Sequence, residues 1–169
     1  MELVQLCQRG EWGSYPPNRW WERKKDGTRC KAEKENGEVS LTNRKGNSYT
    51  EQFPEIVEAL KQIPHDFKID GEICGENFTA LAGRTHLQDP FKIKLMAKLK
   101  PCDLFVFDIL KLDGRELAQE PLRVRKQALL KIPESPRIKL VMPEPLDLLI
   151  KLVEAKEIEG LVGKDPEAP

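Results

Sequence analysis

Glu22-Arg23-Lys24-Lys25-Asp26-Gly27-Thr28-Arg29 places a lysine between an acid and an Asp-Gly pair, with an arginine five positions on. Lysine is one of the few side chains that form covalent intermediates, provided its amine has lost a proton. Asp-Gly is a hairpin-turn signal, because glycine takes φ > 0 without steric cost. Lys24 is therefore expected at the end of a strand, beside a turn where a ligand can approach the backbone. Read alone, the string fits a charged hairpin on a solvated surface equally well. Further polar sites at strand edges follow downstream: Arg44, Glu72, and Glu159 with Lys164. Phe105 and Phe107 share one face of a strand; aromatics so placed are usually core, yet they also make a stacking platform. A lysine, two carboxylates, further cations and an aromatic wall are what a nucleotide site with a divalent metal needs. Carboxylates hold Mg²⁺, which keeps most of its waters and bridges to phosphate. Cations offset the phosphate charge.

The elements that must position these residues are legible in the pattern. Residues 11–21 carry Gly, two prolines and Trp20-Trp21, and read as a loop entering a strand. The Asp26-Gly27 and Asn36-Gly37 turns, with Val39–Thr42 as a further strand, make residues 20–49 an antiparallel meander. Asn43–Asn47 is another turn. Phe53–Ile63 is the clearest helix, with Phe53, Ile56, Val57, Leu60 and Ile63 on one face and Pro54 in the first turn. Phe67–Ile73 alternates as a strand. Phe91–Lys100 reads as a helix ending before Pro101, and Leu104–Leu110 as a buried strand turned by Leu112-Asp113-Gly114-Arg115. Helices over 121–132 and 143–158 and a last strand over 159–164 complete the chain.

The 169 residues suffice for one domain, burying about 70% of the unfolded surface. Charged residues are 33%, and 28 Lys and Arg balance 28 Asp and Glu. That balance excludes a strong global field for nucleic acid but not local patches. No apolar run is long enough to span a membrane, and Met1–Gln5 lacks the basic head and apolar stretch of a signal peptide. A cytoplasmic or nucleoid-associated protein that is not secreted is expected. Cys7, Cys30, Cys74 and Cys102 lie far apart without C-x-x-C spacing, which argues against zinc and for reduced, buried thiols. His65 and His86 have no partner motif and read as surface or turn residues.

Taken in order, the motifs resemble the covalent nucleotidyltransferase superfamily, and within it the ATP-dependent DNA ligases. The lysine motif K-x-D-G-x-R is Lys24–Arg29, and Arg44-Lys45-Gly46 is similar to the Arg-x-Gly motif that follows it. Asp70-Gly71-Glu72 resembles D-G-E, and Phe78, Leu81 and Arg84 resemble the ligase pattern F-x-x-L-x-x-R. Phe107-Asp108-Ile109-Leu110 resembles F-D-I-L, followed by Leu-Asp-Gly and a Pro-Leu-x-x-Arg helix at Pro121, Leu122 and Arg125. Glu159–Lys164 is similar to E-G-x-x-x-K.

The resemblance implies an α+β fold of two antiparallel β-sheets flanked by helices, an ATP-grasp-like adenylation domain with the nucleotide between the sheets. It implies that Lys24 attacks the α-phosphorus of ATP to form lysyl-AMP, which passes to the 5′-phosphate of nicked double-stranded DNA. Glu22 would read the adenine amino group, Phe107 stack on the base, and Arg29 and Glu72 lie on the ribose side. Lys164 would contact the α-phosphate and Arg44 the ribose or the nick phosphate. Glu72 and Glu159 would hold Mg²⁺ or Mn²⁺. No K-x-K motif and no OB-fold follow Lys164, so residues 1–169 read as the adenylation domain cut after E-G-x-x-x-K, and a separate OB-fold or repair protein is an expected partner. An RNA ligase, a GTP-using capping enzyme and a non-catalytic nucleotide-binding remnant are the other readings.

Overall fold

The computed structural model describes residues 9–169. Its centre is a six-stranded sheet in the order β3-β2-β4-β5-β6, with β7 also on β5. These strands are β2 (Thr28–Glu35), β3 (Glu38–Asn43), β4 (Phe67–Cys74), β5 (Asp103–Leu112), β6 (Arg115–Glu116) and β7 (Ile138–Leu140). All pairs are antiparallel except β5 with β7. Two turns behave as their sequences demand. Asn36 and Gly37 take φ of 52° and 83° and join β2 to β3; Asp113 and Gly114, at 47° and 81°, join β5 to β6. Consecutive left-handed residues match the strand twist in two-residue hairpins.

Strand alternation divides the sheet into two faces. Ala32, Leu41, Ile69, Leu104 and Val106 point into the core and are fully buried. There they meet α1 (Pro54–Lys61), whose Ile56 and Leu60 are also inaccessible, and Leu129 of α4 (Leu122–Leu129). Each such side chain contributes roughly 1.5–3 kcal/mol by leaving water. The end of α1 is closed by Lys34, which donates to the carbonyls of Lys61 and Ile63, as a cation near a helix C-terminus should. α2 (Phe78–Thr85) is capped by Asn77, and α3 (Pro90–Leu99) by Asp89. Arg84 of the F-x-x-L-x-x-R pattern is buried, grips both Glu55 carboxylate oxygens at 3.0 and 2.8 Å, and donates to the Gln52 carbonyl. It locks α2 to α1.

The second sheet is a ribbon of β1 (Trp20–Arg23) and β8 (Leu161–Lys164), antiparallel, with Trp20 opposite Lys164 and Arg23 opposite Leu161. α5 (Leu146–Glu154) packs on it. This corrects the expected meander over 20–49. β1 pairs with the last strand, so Asp26-Gly27 joins two sheets and is no hairpin. Gly27 is not in the left-handed region. Glycine is required there for another reason: a Cβ would strike the Ile73 carbonyl and come within 2.9 Å of Cys74 Sγ and Glu72 Cγ. The loop after Lys24 is pressed against β4. Cys30 and Cys102 are buried and Cys74 half-buried, all as free thiols, while Cys7 lies outside the described residues. No helix among the described residues is long and apolar enough to cross a membrane.

Replacing Gly27 by Ala should therefore cost about 1–3 kcal/mol, a fall in Tm of about 2–10 °C by thermal circular dichroism. An unchanged Tm would contradict the close approach.

Candidate functional site

The core-averse face of the large sheet and the β1–β8 ribbon enclose a cleft of about 670 Å³, within the ordinary range of ligand sites. Glu22, Val162 and Lys164 line it from the ribbon; Arg29, Glu72 and Phe107 line it from β2, β4 and β5. Lys24 stands at its edge and also lines an adjoining cleft of about 760 Å³ together with Lys25, Phe105 and Glu159. Arg44, just beyond β3, lines the first cleft from an exposed rim. All the sequence-predicted residues border one or other of these clefts.

Lys24 follows the last residue of β1, and its amide is fixed by donation to the Gly160 carbonyl at 2.9 Å. Its Nζ lies 2.5 Å from Glu159 Oε1, with both side chains nearly half exposed. So the two ends of the motif series, far apart in the chain, meet at the amine. Arg29 is held by both oxygens of Asp70, at 2.7 and 2.6 Å, and its guanidinium lies 4.6 Å from the Phe107 ring centroid. The Lys164 Nζ is 4.9 Å from the same ring. Phe107 is thus a half-exposed ring facing cations, not a core residue, and Phe105 likewise carries Lys25 Nζ at 4.0 Å. Core positions on β5 are taken by Leu104, Val106 and Ile109 instead.

Glu72 lies opposite Arg29 in the β2–β4 register. Burial pushes its carboxyl up to about 7, against the pull of Arg29 and Lys24 and helped by Asp70 and Asp26. Burial also holds Lys25 below the usual lysine range, with Arg23 adding to it. Glu159 meets Lys24 directly, and Glu72 shares the first cleft with it. Among the described residues no group of three or more His, Cys, Asp or Glu side chains converges as a metal cage. Two hard oxygen donors, with water and phosphate completing the shell, are nonetheless how Mg²⁺ is commonly bound.

Glu22 is the deepest residue of the cleft, at 1% exposure. Its Oε2 is 2.6 Å from Lys164 Nζ, and its Oε1 is 2.5 Å from Lys126 Nζ on α4. Lys126 also donates to the carbonyls of Phe107 and Val141, both at 2.7 Å. Burial and the neighbouring Lys164 charge lower Lys126 to about 8, against Glu22, which raises it. Beside it, Arg125 takes both Asp108 oxygens at 2.8 and 3.1 Å. Sequence reasoning found Arg125, Asp108 and Asp70 as motif residues, without the ion pairs they make, and missed Lys126. The signal for Lys126 was its place next to the Pro-Leu-x-x-Arg arginine, on the inner face of an otherwise polar helix.

Residues 13–169 match the family described as the ATP dependent DNA ligase domain. A probable DNA ligase of Opitutus terrae is 39% identical over 116 residues, 65% of this chain and 11% of that protein. One of Dictyoglomus thermophilum is 32% identical over 162 residues, 88% of this chain and 28% of that protein. The chain thus spans less than a third of the length of these two relatives. In fold it is similar to a mycobacterial DNA ligase D solved with ATP and MES, at TM-score 0.72 and 21% identity over 96% of this chain and 54% of that one.

The raised Glu72 carboxyl predicts a pH-dependent stability. An acid whose folded value lies above its unfolded one loses stability as pH rises from the unfolded value through the folded one, here from about 4.5 to about 7. Glu72→Gln should remove that loss, raising Tm at pH 8 by about 2–4 °C and leaving it unchanged at pH 4. Equal shifts at both pH values would contradict the assignment.

Proposed function

The chain belongs to the ATP-dependent DNA ligase domain family, and from that membership we propose that it is the adenylation domain of a DNA ligase with Lys24 as its nucleophile. One observation carries the reading: Lys24 Nζ stands 2.5 Å from Glu159 at the edge of a cleft whose facing wall presents Phe107 and Arg29. An amine, an acceptor for its proton, a ring for a base and cations for phosphate occur there together.

In this reading adenine enters between the sheets, stacks on Phe107 and donates its amino group to Glu22. Arg29, fixed by Asp70, and Glu72 lie on the ribose side. Lys24 must lose a proton before it can attack, and Glu159 is the nearest acceptor. The Nζ lone pair then forms the bond to the α-phosphorus as the bond to the pyrophosphate oxygen breaks, and pyrophosphate departs with that electron pair. Lys164 leaves Glu22 to meet the α-phosphate. Glu72 and Glu159 are the residues that would hold Mg²⁺, which when bound neutralises phosphate charge. Chemistry of this kind rests on position and prearranged charge.

Transfer of AMP to a 5′-phosphate in nicked duplex DNA, with Arg44 at the rim meeting that phosphate, is the proposed second half. An OB-fold domain or repair protein that grips the duplex beside this domain is the proposed aid to sealing. Intact-mass spectrometry after incubation with ATP and Mg²⁺ tests the first half. We expect the protein to gain one AMP and Lys24→Ala to gain none. An adduct formed from GTP but not ATP would favour a capping-type enzyme, and no adduct from either would overturn the covalent reading.

A further inference from the structure

Lys126 is 2% exposed, and its ammonium has three donors to place. It donates to the Phe107 and Val141 carbonyls and stands 2.5 Å from Glu22 Oε1 as an ion pair. Protein groups surround the ammonium, and burial leaves the side chain no route outward. Lys164, the other partner of Glu22, is different. Its side chain is 22% exposed, it sits on the last strand at the cleft wall, and it reaches over the Phe107 ring. Glu22 therefore has one fixed counter-ion behind it and one movable counter-ion in front of it.

We propose that Lys126 is the positioning residue for base discrimination: it keeps the Glu22 carboxylate ionised and aimed into the cleft, so that Lys164 can leave Glu22 for phosphate when a 6-amino purine takes its place. This rests on the reading above that Glu22 meets the base. A buried carboxylate stripped of its only partner is strongly disfavoured, so with Lys164 as sole counter-ion the exchange would stall or Glu22 would take up a proton. An ionised carboxylate only accepts hydrogen bonds. It welcomes the 6-amino group of adenine and repels the 6-oxo group of guanine. A protonated Glu22 donates as well, and the repulsion disappears. Through its bond to the Phe107 carbonyl, Lys126 also ties that carboxylate to the strand bearing the stacking ring, so the distance from ring to carboxylate is set by one ammonium.

The test is equilibrium binding of ATP and of GTP by titration calorimetry, without divalent metal so that no adenylate forms, to the wild-type protein, Lys126→Met, Lys126→Arg and Lys164→Met. The wild type should prefer ATP; if it binds without preference, the reading of Glu22 as base contact fails, and this inference with it. Given that preference, Lys126→Met should lower the ATP-over-GTP ratio by about tenfold or more, while Lys126→Arg, which keeps the charge, holds it within about threefold. Lys164→Met should weaken both nucleotides alike and leave the ratio intact. A folded Lys126→Met with the wild-type ratio would overturn the proposal and spare the functional reading. If Lys126→Met does not fold, the ratio in Lys164→Met decides: its collapse would show Lys164, not Lys126, to be the residue that sets Glu22.

Discussion

A carboxylate buried to 1% exposure between two lysines governs how this molecule is assembled. Glu22 belongs to a ribbon of two short strands, and such a ribbon is marginal on its own. Lys126 belongs to a helix packed beside the large sheet. Their ion pair forces the two sheets into one body with a cleft between them. It is backed by polar links at the same junction: Arg23 grips Glu144 through two bonds of 2.7 Å, and the Glu144 amide donates to the Trp21 carbonyl at 2.9 Å. Removing one partner from such a pair leaves a charge stranded out of water, at about 3–5 kcal/mol.

That constraint shapes the chemistry available in the cleft. Strand alternation had already sorted β5 into core residues and the outward Phe105 and Phe107. Bringing the ribbon over this face adds Lys24 and Lys164 to a wall that carries Arg29 and Glu72. Arg29 is oriented by Asp70 before any ligand arrives, and Lys24 is seated against Glu159 through the β1–β8 junction. Groups fixed in advance need little rearrangement when charge develops on a phosphoryl centre. Burial, which lifts Glu72 and lowers Lys25, follows from the same closure.

Much of this could be read from the chain because local chemistry and tertiary demand agreed. Asn36-Gly37 and Asp113-Gly114 turn where left-handed residues are needed, and the Phe53–Ile63 stripe became α1. Asp26-Gly27 has the same composition, yet it follows a strand whose partner lies some 140 positions downstream in the register of Trp20 with Lys164. Nothing local reports such a pairing. The motif residues around the cleft were found because several ordered strings had to coincide. Lys126 was not, because a lysine on a polar helix reads as solvated until its neighbours are known. Strand β7 and helix α2 were also passed over: three residues, Ile138–Leu140, are too few for periodicity, and the Ala and Gly of Phe78–Thr85 dilute the apolar stripe.

One amine, that of Lys24, is the proposed nucleophile, although Lys25 lies beside it with a lowered proton affinity. Side-chain contacts separate the two: Lys24 Nζ meets Glu159, whereas Lys25 Nζ lies over the Phe105 ring. Peptide fragmentation of the AMP-modified protein, kept near neutral pH to spare the phosphoramidate, assigns the attachment atom directly. AMP is expected on Lys24 alone. AMP on Lys25, or divided between the two, would contradict it.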